Sequence, residues 1–97
     1  MTPFPNLTLD SVVAATSRQL SAQLGAEAVI MALADGVYYG LNETGALIWD
    51  LLRTPRAVRD IVAVVVENYD AAEAAVAGDV LRLLGELAAR GLIDVRD

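Results

Sequence analysis

Apolar positions recur along this chain with two different periods, and the change from one to the other falls between Val37 and Trp49. Before it, apolar and polar residues alternate. From Arg18 the alternation is clean, with Leu20, Ala22 and Leu24 on one side and Gln19, Ser21 and Gln23 on the other, which predicts a strand with one wet face. Gly25-Ala26 then separates it from Glu27 to Leu33 by the two residues of a II′ hairpin turn. That return strand is apolar on both faces, as suits the middle of a small sheet. After the turn Ala34-Asp35-Gly36, the residues Val37, Tyr39 and Leu41 alternate with Tyr38 and Gly40, which predicts a third strand and completes an antiparallel meander.

Beyond Leu41 the period lengthens to that of a helix, in three segments. Asn42 is placed to cap the first by accepting a backbone N–H, Glu43 puts negative charge at its positive end, and Leu41 can staple onto Ala46. Leu47, Ile48, Leu51 and Leu52 form its apolar side, with Trp49 displaced from that stripe. Thr54 as cap and Pro55 at the first helical position predict a second helix running to about Tyr69, with Val58, Ile61, Val62, Val65 and Val66 at helical spacing. Asp70-Ala71-Ala72-Glu73 has the form of a capping box and opens a third helix that runs to Arg90 and stops at Gly91.

What precedes the meander is less patterned. Residues 1–10 hold Pro3 and Pro5 and few packing residues, so they are expected to form an extended arm, with 11–97 as a single domain. Val12-Val13 suit a short strand, but nothing in the sequence fixes it. The expected architecture is α+β, a three-stranded antiparallel sheet followed by three helices, in the manner of a winged helix-turn-helix with the sheet placed first.

Composition narrows the chemistry. At 97 residues there is room for one modest core, burying roughly 60 to 70% of the unfolded surface. Seven arginines and no lysine face thirteen Asp and Glu, a net charge of -6 that repels a phosphate backbone. Cysteine and histidine are both absent, which removes disulfides, thiolate and imidazole metal sites and the commonest general base. Nothing left assembles a nucleophile, a base and an anion hole, so no catalytic residue, metal or cofactor is expected. The longest apolar run, Ala28 to Ala34, is far below the roughly 20 residues of a membrane span, and the N-terminus has no signal-peptide form. A cytoplasmic protein without a membrane partner is the expectation.

Two features look outward. The third strand lies at a sheet edge and carries no Lys, Pro or charge between Val37 and Leu41, so its free N–H and C=O groups are open to another chain unless the arm or Leu92 to Val95 covers them. The third helix has apolar surface to spare. Val76, Val80, Leu83 and Leu87 form a core line, and Ala77, Leu81, Leu84 and Ala88 lie beside it, an apolar face of about 160° where about 100° suffices. Either that helix is sunk between the other two, or one flank is left for a groove. In the second case Leu81 and Leu84 line a trough against the sheet edge, and Ala77 and Ala88 leave room in it.

A winged helix usually reads DNA with its third helix, but here that helix sets Arg82 and Arg90 against Glu73, Asp79 and Glu86 and has no Lys, Asn or Gln. Nucleic acid is therefore not the expected partner, although a DNA-binding or protein-binding regulator remains the alternative. The cluster Arg53, Arg56 and Arg59 fits a solvated turn between helices.

The succession Glu27-Ala28-Val29-Ile30, Tyr38-Tyr39-Gly40-Leu41-Asn42-Glu43, Ile48-Trp49-Asp50-Leu51-Leu52, Pro55-Arg56, Ile61, Tyr69-Asp70, Asp79-Val80 and Gly91-Leu92-Ile93 resembles the PqqD-like proteins, most closely the stand-alone leader-binding proteins of lasso-peptide biosynthesis. The resemblance spans about residues 18–95, and its most specific part is the Tyr-Tyr-Gly-Leu-Asn-Glu run followed by the Trp-bearing helix. It implies a RiPP recognition element, a non-catalytic domain that binds the leader segment of a ribosomally made precursor peptide. It further implies delivery of that peptide to a transglutaminase-like leader peptidase and a cyclising synthetase. Carried over by position, the leader adds as a strand along Val37, Tyr38, Tyr39, Gly40 and Leu41 and lies against the third helix. Leu81 and Leu84 are then the expected wall, flanked by Ala77, Val80 and Ala88. Gly78 and Gly85 depart from what a firm wall needs, and Asp79, on the other flank, is the competing contact.

Overall fold

Two small sheets share the strands, and only one of them is local in sequence. The computed structural model describes residues 7–96, so residues 1–6, most of the predicted arm, lie outside the described residues, as does residue 97. The elements in order are β1 (Val12–Ala15), β2 (Gln19–Leu24), β3 (Glu27–Ala32), β4 (Tyr38–Leu41), α1 (Glu43–Leu51), β5 (Arg56–Ala57), α2 (Val58–Tyr69), α3 (Glu73–Ala89) and β6 (Ile93–Arg96). The predicted meander is present as an antiparallel sheet in the order β2-β3-β4. A second antiparallel sheet, in the order β5-β1-β6, joins three segments far apart in the chain.

The turns and most caps follow from residue type. Gly25 and Gly36 hold φ of 65° and 70° in the two hairpin turns, a region that costs glycine nothing. The side chain of Asn42 accepts the Gly45 N–H at 2.9 Å and starts α1. A Cβ at Gly45 would sit 3.3 Å from the Cβ of Leu41, close enough that Leu41 would have to give by a few tenths of an ångström.

Two helix starts differ from expectation. α2 begins at Val58 with no side-chain cap, because Arg56 and Ala57 pair with Val13 and Val12 before the chain turns helical. Asp70 does not open α3. It ends α2 in the left-handed conformation, with φ 48°, and α3 starts at Glu73 after Ala72, again without a side-chain cap. Asp is among the few side chains that tolerate the left-handed region, and here that use wins over capping.

The core lies between the helices and the inner faces of both sheets, with Val13, Ile30, Leu52, Val58, Ile61, Leu84 and Leu92 wholly buried. Trp49 belongs to it, although it stands off the stripe of Leu47 and Leu51: Ile48, Trp49 and Leu52 are the buried side of this helix, and Leu47 and Leu51 are half-buried. The sheet β2-β3-β4 buries Ala28, Ile30, Ala32 and Leu41, while Leu20 and Leu24 are 61% and 59% exposed. β2 therefore alternates as expected but with its sides exchanged. Gln19, Ser21 and Gln23 share the inner face with Ala32, Ile30 and Ala28, beside a cleft of about 310 Å³ where Trp49, Asp50 and Arg53 of the α1 end form the opposite wall.

The C-terminal strand answers the question of the β4 edge. Ile93–Arg96 pairs with β1, and the turn before it is tied down by Thr16, whose backbone N–H and hydroxyl both donate to the Leu92 carbonyl, at 3.0 and 3.3 Å, and whose hydroxyl also reaches the Gly91 carbonyl at 2.9 Å. Leu7 and Leu9 pack on the core and the Leu9 carbonyl accepts from Arg59 N–H, so this part of the arm is held at the start of α2. Among the described residues no strand pairs with the outer edge of β4.

Candidate functional site

The phase of the β3 hydrogen bonds decides what the β4 edge offers. Leu33 N–H donates to the Arg18 carbonyl at 3.1 Å and Ala32 N–H to the Val37 carbonyl at 3.0 Å, so alternate residues of β3 serve β2 and β4. In the register Ile30↔Tyr39 and Ala28↔Leu41, it is Val37, Tyr39 and Leu41 that turn their backbone groups to β3. Tyr38 and Gly40 turn theirs, two N–H and two C=O, to the open side.

Beside that edge lies a cleft of about 500 Å³ between β4 and α3. Its floor is apolar, from Leu41, Ile48, Val65, Val76, Val80 and Leu83, and its rim is polar, from Asn42, Thr44, Asp79, Arg82 and Glu86. Tyr69 lines it, and its hydroxyl donates to the Glu43 carboxylate at 3.2 Å. Outside the lining, the Arg90 guanidinium at the end of α3 lies 4.5 Å from the centre of the Tyr39 ring and donates to its hydroxyl at 2.9 Å. Gly40 adds no side chain, and a Cβ there would meet nothing within 4 Å, so the approach to the edge is open.

Of the residues singled out from the sequence, Gly40, Leu41, Asp79 and Val80 line this cleft, and Tyr38 and Tyr39 begin the strand that borders it, with Val37 just before it. Leu84 and Ala88 do not. They are 0% and 4% exposed, facing the core, and Ala77 and Leu81 are half-buried against it without lining the cleft. The helix is rotated from the expected setting: Val76, Val80, Leu84 and Leu87 are its buried line, and the flank through Asp79, Leu83 and Glu86 faces the strand edge. The sequence pattern puts Leu83 on the core line and does not mark Tyr69, Arg82, Glu86 or Arg90 as contacts. The spacing of Asp79, Leu83, Glu86 and Arg90, three or four residues apart, is the signal that they share a face.

No group of three or more acidic, His or Cys side chains is placed to hold a metal among the described residues, and no helix there is long and apolar enough to cross a membrane. The arrangement can bind an extended segment, by pairing along Tyr38 and Gly40 and by taking alternate side chains into the cleft.

The profile for coenzyme PQQ synthesis protein D (PqqD) matches residues 27–93, which include β3, β4 and all three helices. The chain belongs to the PqqD family. As a PqqD-family protein it also matches a solved structure of TbiB1 in complex with the TbiA(beta) leader peptide, at 28% identity and a TM-score of 0.77, over 84% of this chain and 94% of that one. Comparison with curated proteins gave no match.

Proposed function

We propose that this chain is a RiPP recognition element: a binding module, without chemistry of its own, that takes up the leader segment of a lasso-peptide precursor and delivers it for maturation. The observation that carries the reading is the unpaired edge of β4 running beside an apolar cleft against α3. The likeness to TbiB1, whose structure holds a leader peptide, supports it.

Magnitudes show why edge and cleft are both needed. The four groups on Tyr38 and Gly40 contribute on the order of 2 to 6 kcal/mol if each hydrogen bond is worth roughly 0.5 to 1.5. Association costs on the order of 4 to 15 kcal/mol, so pairing alone does not hold a peptide. Burying about 300 Å² of apolar leader surface over Val80, Leu83 and Ile48 adds roughly 7 kcal/mol. Pairing sets register and the cleft sets which peptide is accepted.

Delivery needs a second surface, and the outer face of the same sheet is suited to it. Leu20, Met31 and Tyr38 lie in one row across β2, β3 and β4, with Ala22, Val29 and Gly40 in the next. Tyr38 is 68% exposed, and with Leu20 and Leu24 it makes an apolar face turned away from the core. We assign this face to the transglutaminase-like leader peptidase, with a cyclising synthetase acting later in a cytoplasmic pathway.

The test is a titration of the isotopically labelled protein with the TbiA(beta) leader peptide and with the leader of any precursor found encoded beside this chain. The amides of Tyr38 and Gly40 are expected to shift and gain protection from exchange. Saturable binding that leaves both amides unmoved refutes strand addition at β4.

A further inference from the structure

Glu86 sits on α3 between two arginines at ion-pairing distance along the helix, Arg82 four residues before it and Arg90 four residues after, and pairs with neither. Arg82 reaches back to Asp79 at 3.2 Å, and Arg90 lies on the Tyr39 ring. Among the described residues Glu86 has no ion-pair partner, yet it lines the cleft beside β4 next to Leu83. A carboxylate left single at the rim of an apolar cleft is well solvated only while the cleft is empty.

We propose that Glu86 is a specificity-determining residue, selecting a peptide with lysine or arginine at one inward-facing position; this rests on the leader-binding reading above. Closing a peptide over the cleft removes water from Glu86. An apolar or acidic side chain above it leaves a desolvated charge whose neighbouring arginines are engaged with Asp79 and Tyr39, whereas an ammonium or guanidinium supplies a partner. The residue therefore acts as much by rejecting wrong peptides as by attracting the right one. The net charge of -6 favours the approach of the same basic segment.

Spacing places the cation. Leu83 and Glu86 differ in height along the helix by about 4.5 Å, at roughly 1.5 Å per residue. Successive inward side chains of an added strand are about 6.8 Å apart, at roughly 3.4 Å per residue. A side chain seated over Leu83 and Val80 thus has its next inward neighbour beside Glu86, so the basic residue lies two positions from an apolar anchor.

The experiment is selection from a display library of random peptides on the full chain as wild type, E86Q and E86R. Wild type is expected to enrich Lys or Arg at the second position from an apolar residue, E86Q to lose that enrichment, and E86R to replace it with Asp or Glu. A selected peptide should bind E86Q roughly tenfold more weakly than wild type, while its Lys→Gln version binds the two alike. Peptides that keep the apolar anchor and protect the Tyr38 and Gly40 amides, but show one charge preference on all three proteins, overturn this inference and leave leader binding standing. Failure to select any peptide that touches β4 overturns both.

Discussion

Arg90 lies over the Tyr39 ring, 4.5 Å from its centre, and donates to its hydroxyl at 2.9 Å, joining the last turn of α3 to the middle of β4. The C-terminal end of α3 is thereby tied to the strand that borders the cleft. An exposed cation–π contact is worth about 0.5 to 1 kcal/mol, so Arg90→Ala is expected to lower stability by about that much. The effect on peptide affinity should be larger, several-fold, because the cleft widens. Denaturant midpoints and peptide titrations on the same samples separate the two, and equal losses in both would reduce the contact to a stabilising one.

The hydrogen-bond phase of β4 gives a sharper test. Tyr38 N–H points to the open side and Tyr39 N–H toward β3. Proline is tolerated at the first residue of an edge strand but not where a ladder bond is made. Tyr38→Pro should therefore fold and lose peptide affinity by roughly tenfold beyond the loss in Tyr38→Ala, the difference being a missing edge donor and its neighbour's bond. Tyr39→Pro should not fold. Circular dichroism and calorimetric titration check both.

Local chemistry made much of this arrangement legible in advance. Asn42, Gly36 and Gly91 act on their own neighbours, so the start of α1, the second hairpin turn and the end of α3 were readable from residue type. The sheet β5-β1-β6 was not, because Val12 pairs with Arg96 and Ala57, and no local pattern names partners so distant. Alternation in β2 showed two faces without saying which met the core. Its apolar side faces outward because α1 packs on β3 and leaves the inner side of β2 beside an open cleft. The rotation of α3 was hidden for the same reason: with apolar residues on more than one flank, packing against α2 and β6 chose Leu84 over Leu83 for the core.

That rotation can be tested directly. Leu83 and Leu81 are both half-buried on the core, but only Leu83 lines the cleft. Leu83→Asp and Leu81→Asp should each cost roughly 1 to 2 kcal/mol of stability. Only Leu83→Asp should weaken peptide binding, by roughly tenfold or more. Equal weakening by both would place the peptide across the helix rather than along its cleft flank.

Asn42 caps the helix that meets β4 at the cleft rim, so its loss should show first in stability. Asn42→Ala is expected to cost about 1 kcal/mol, and Asn42→Asp to keep most of it, since either side-chain oxygen accepts the Gly45 N–H. For a domain of this size that corresponds to roughly 4 to 8 °C in Tm. A thermal melt of the two variants with no peptide present decides it.

If the proposed assignment holds, recognition at the β4 edge and delivery at the outer face of β2 are separable. Leu20 and Leu24 stand on the outer face of β2, with β3 between them and the β4 edge. Replacing both with serine removes exposed apolar surface and no core contact, so folding and peptide affinity should stay within about twofold of wild type, under 0.5 kcal/mol. Leader removal by the partner peptidase should fall by roughly tenfold at limiting enzyme, because two such side chains supply on the order of 1 to 2 kcal/mol to a docked interface. The informative measurement is therefore a pair, the dissociation constant for peptide and the cleavage rate of bound precursor. Loss of both together would mean that the outer face shapes the β4 edge itself. Loss of neither would move the enzyme's docking surface elsewhere, and the second cleft beside Trp49 and Arg53 would then be the next place to mutate.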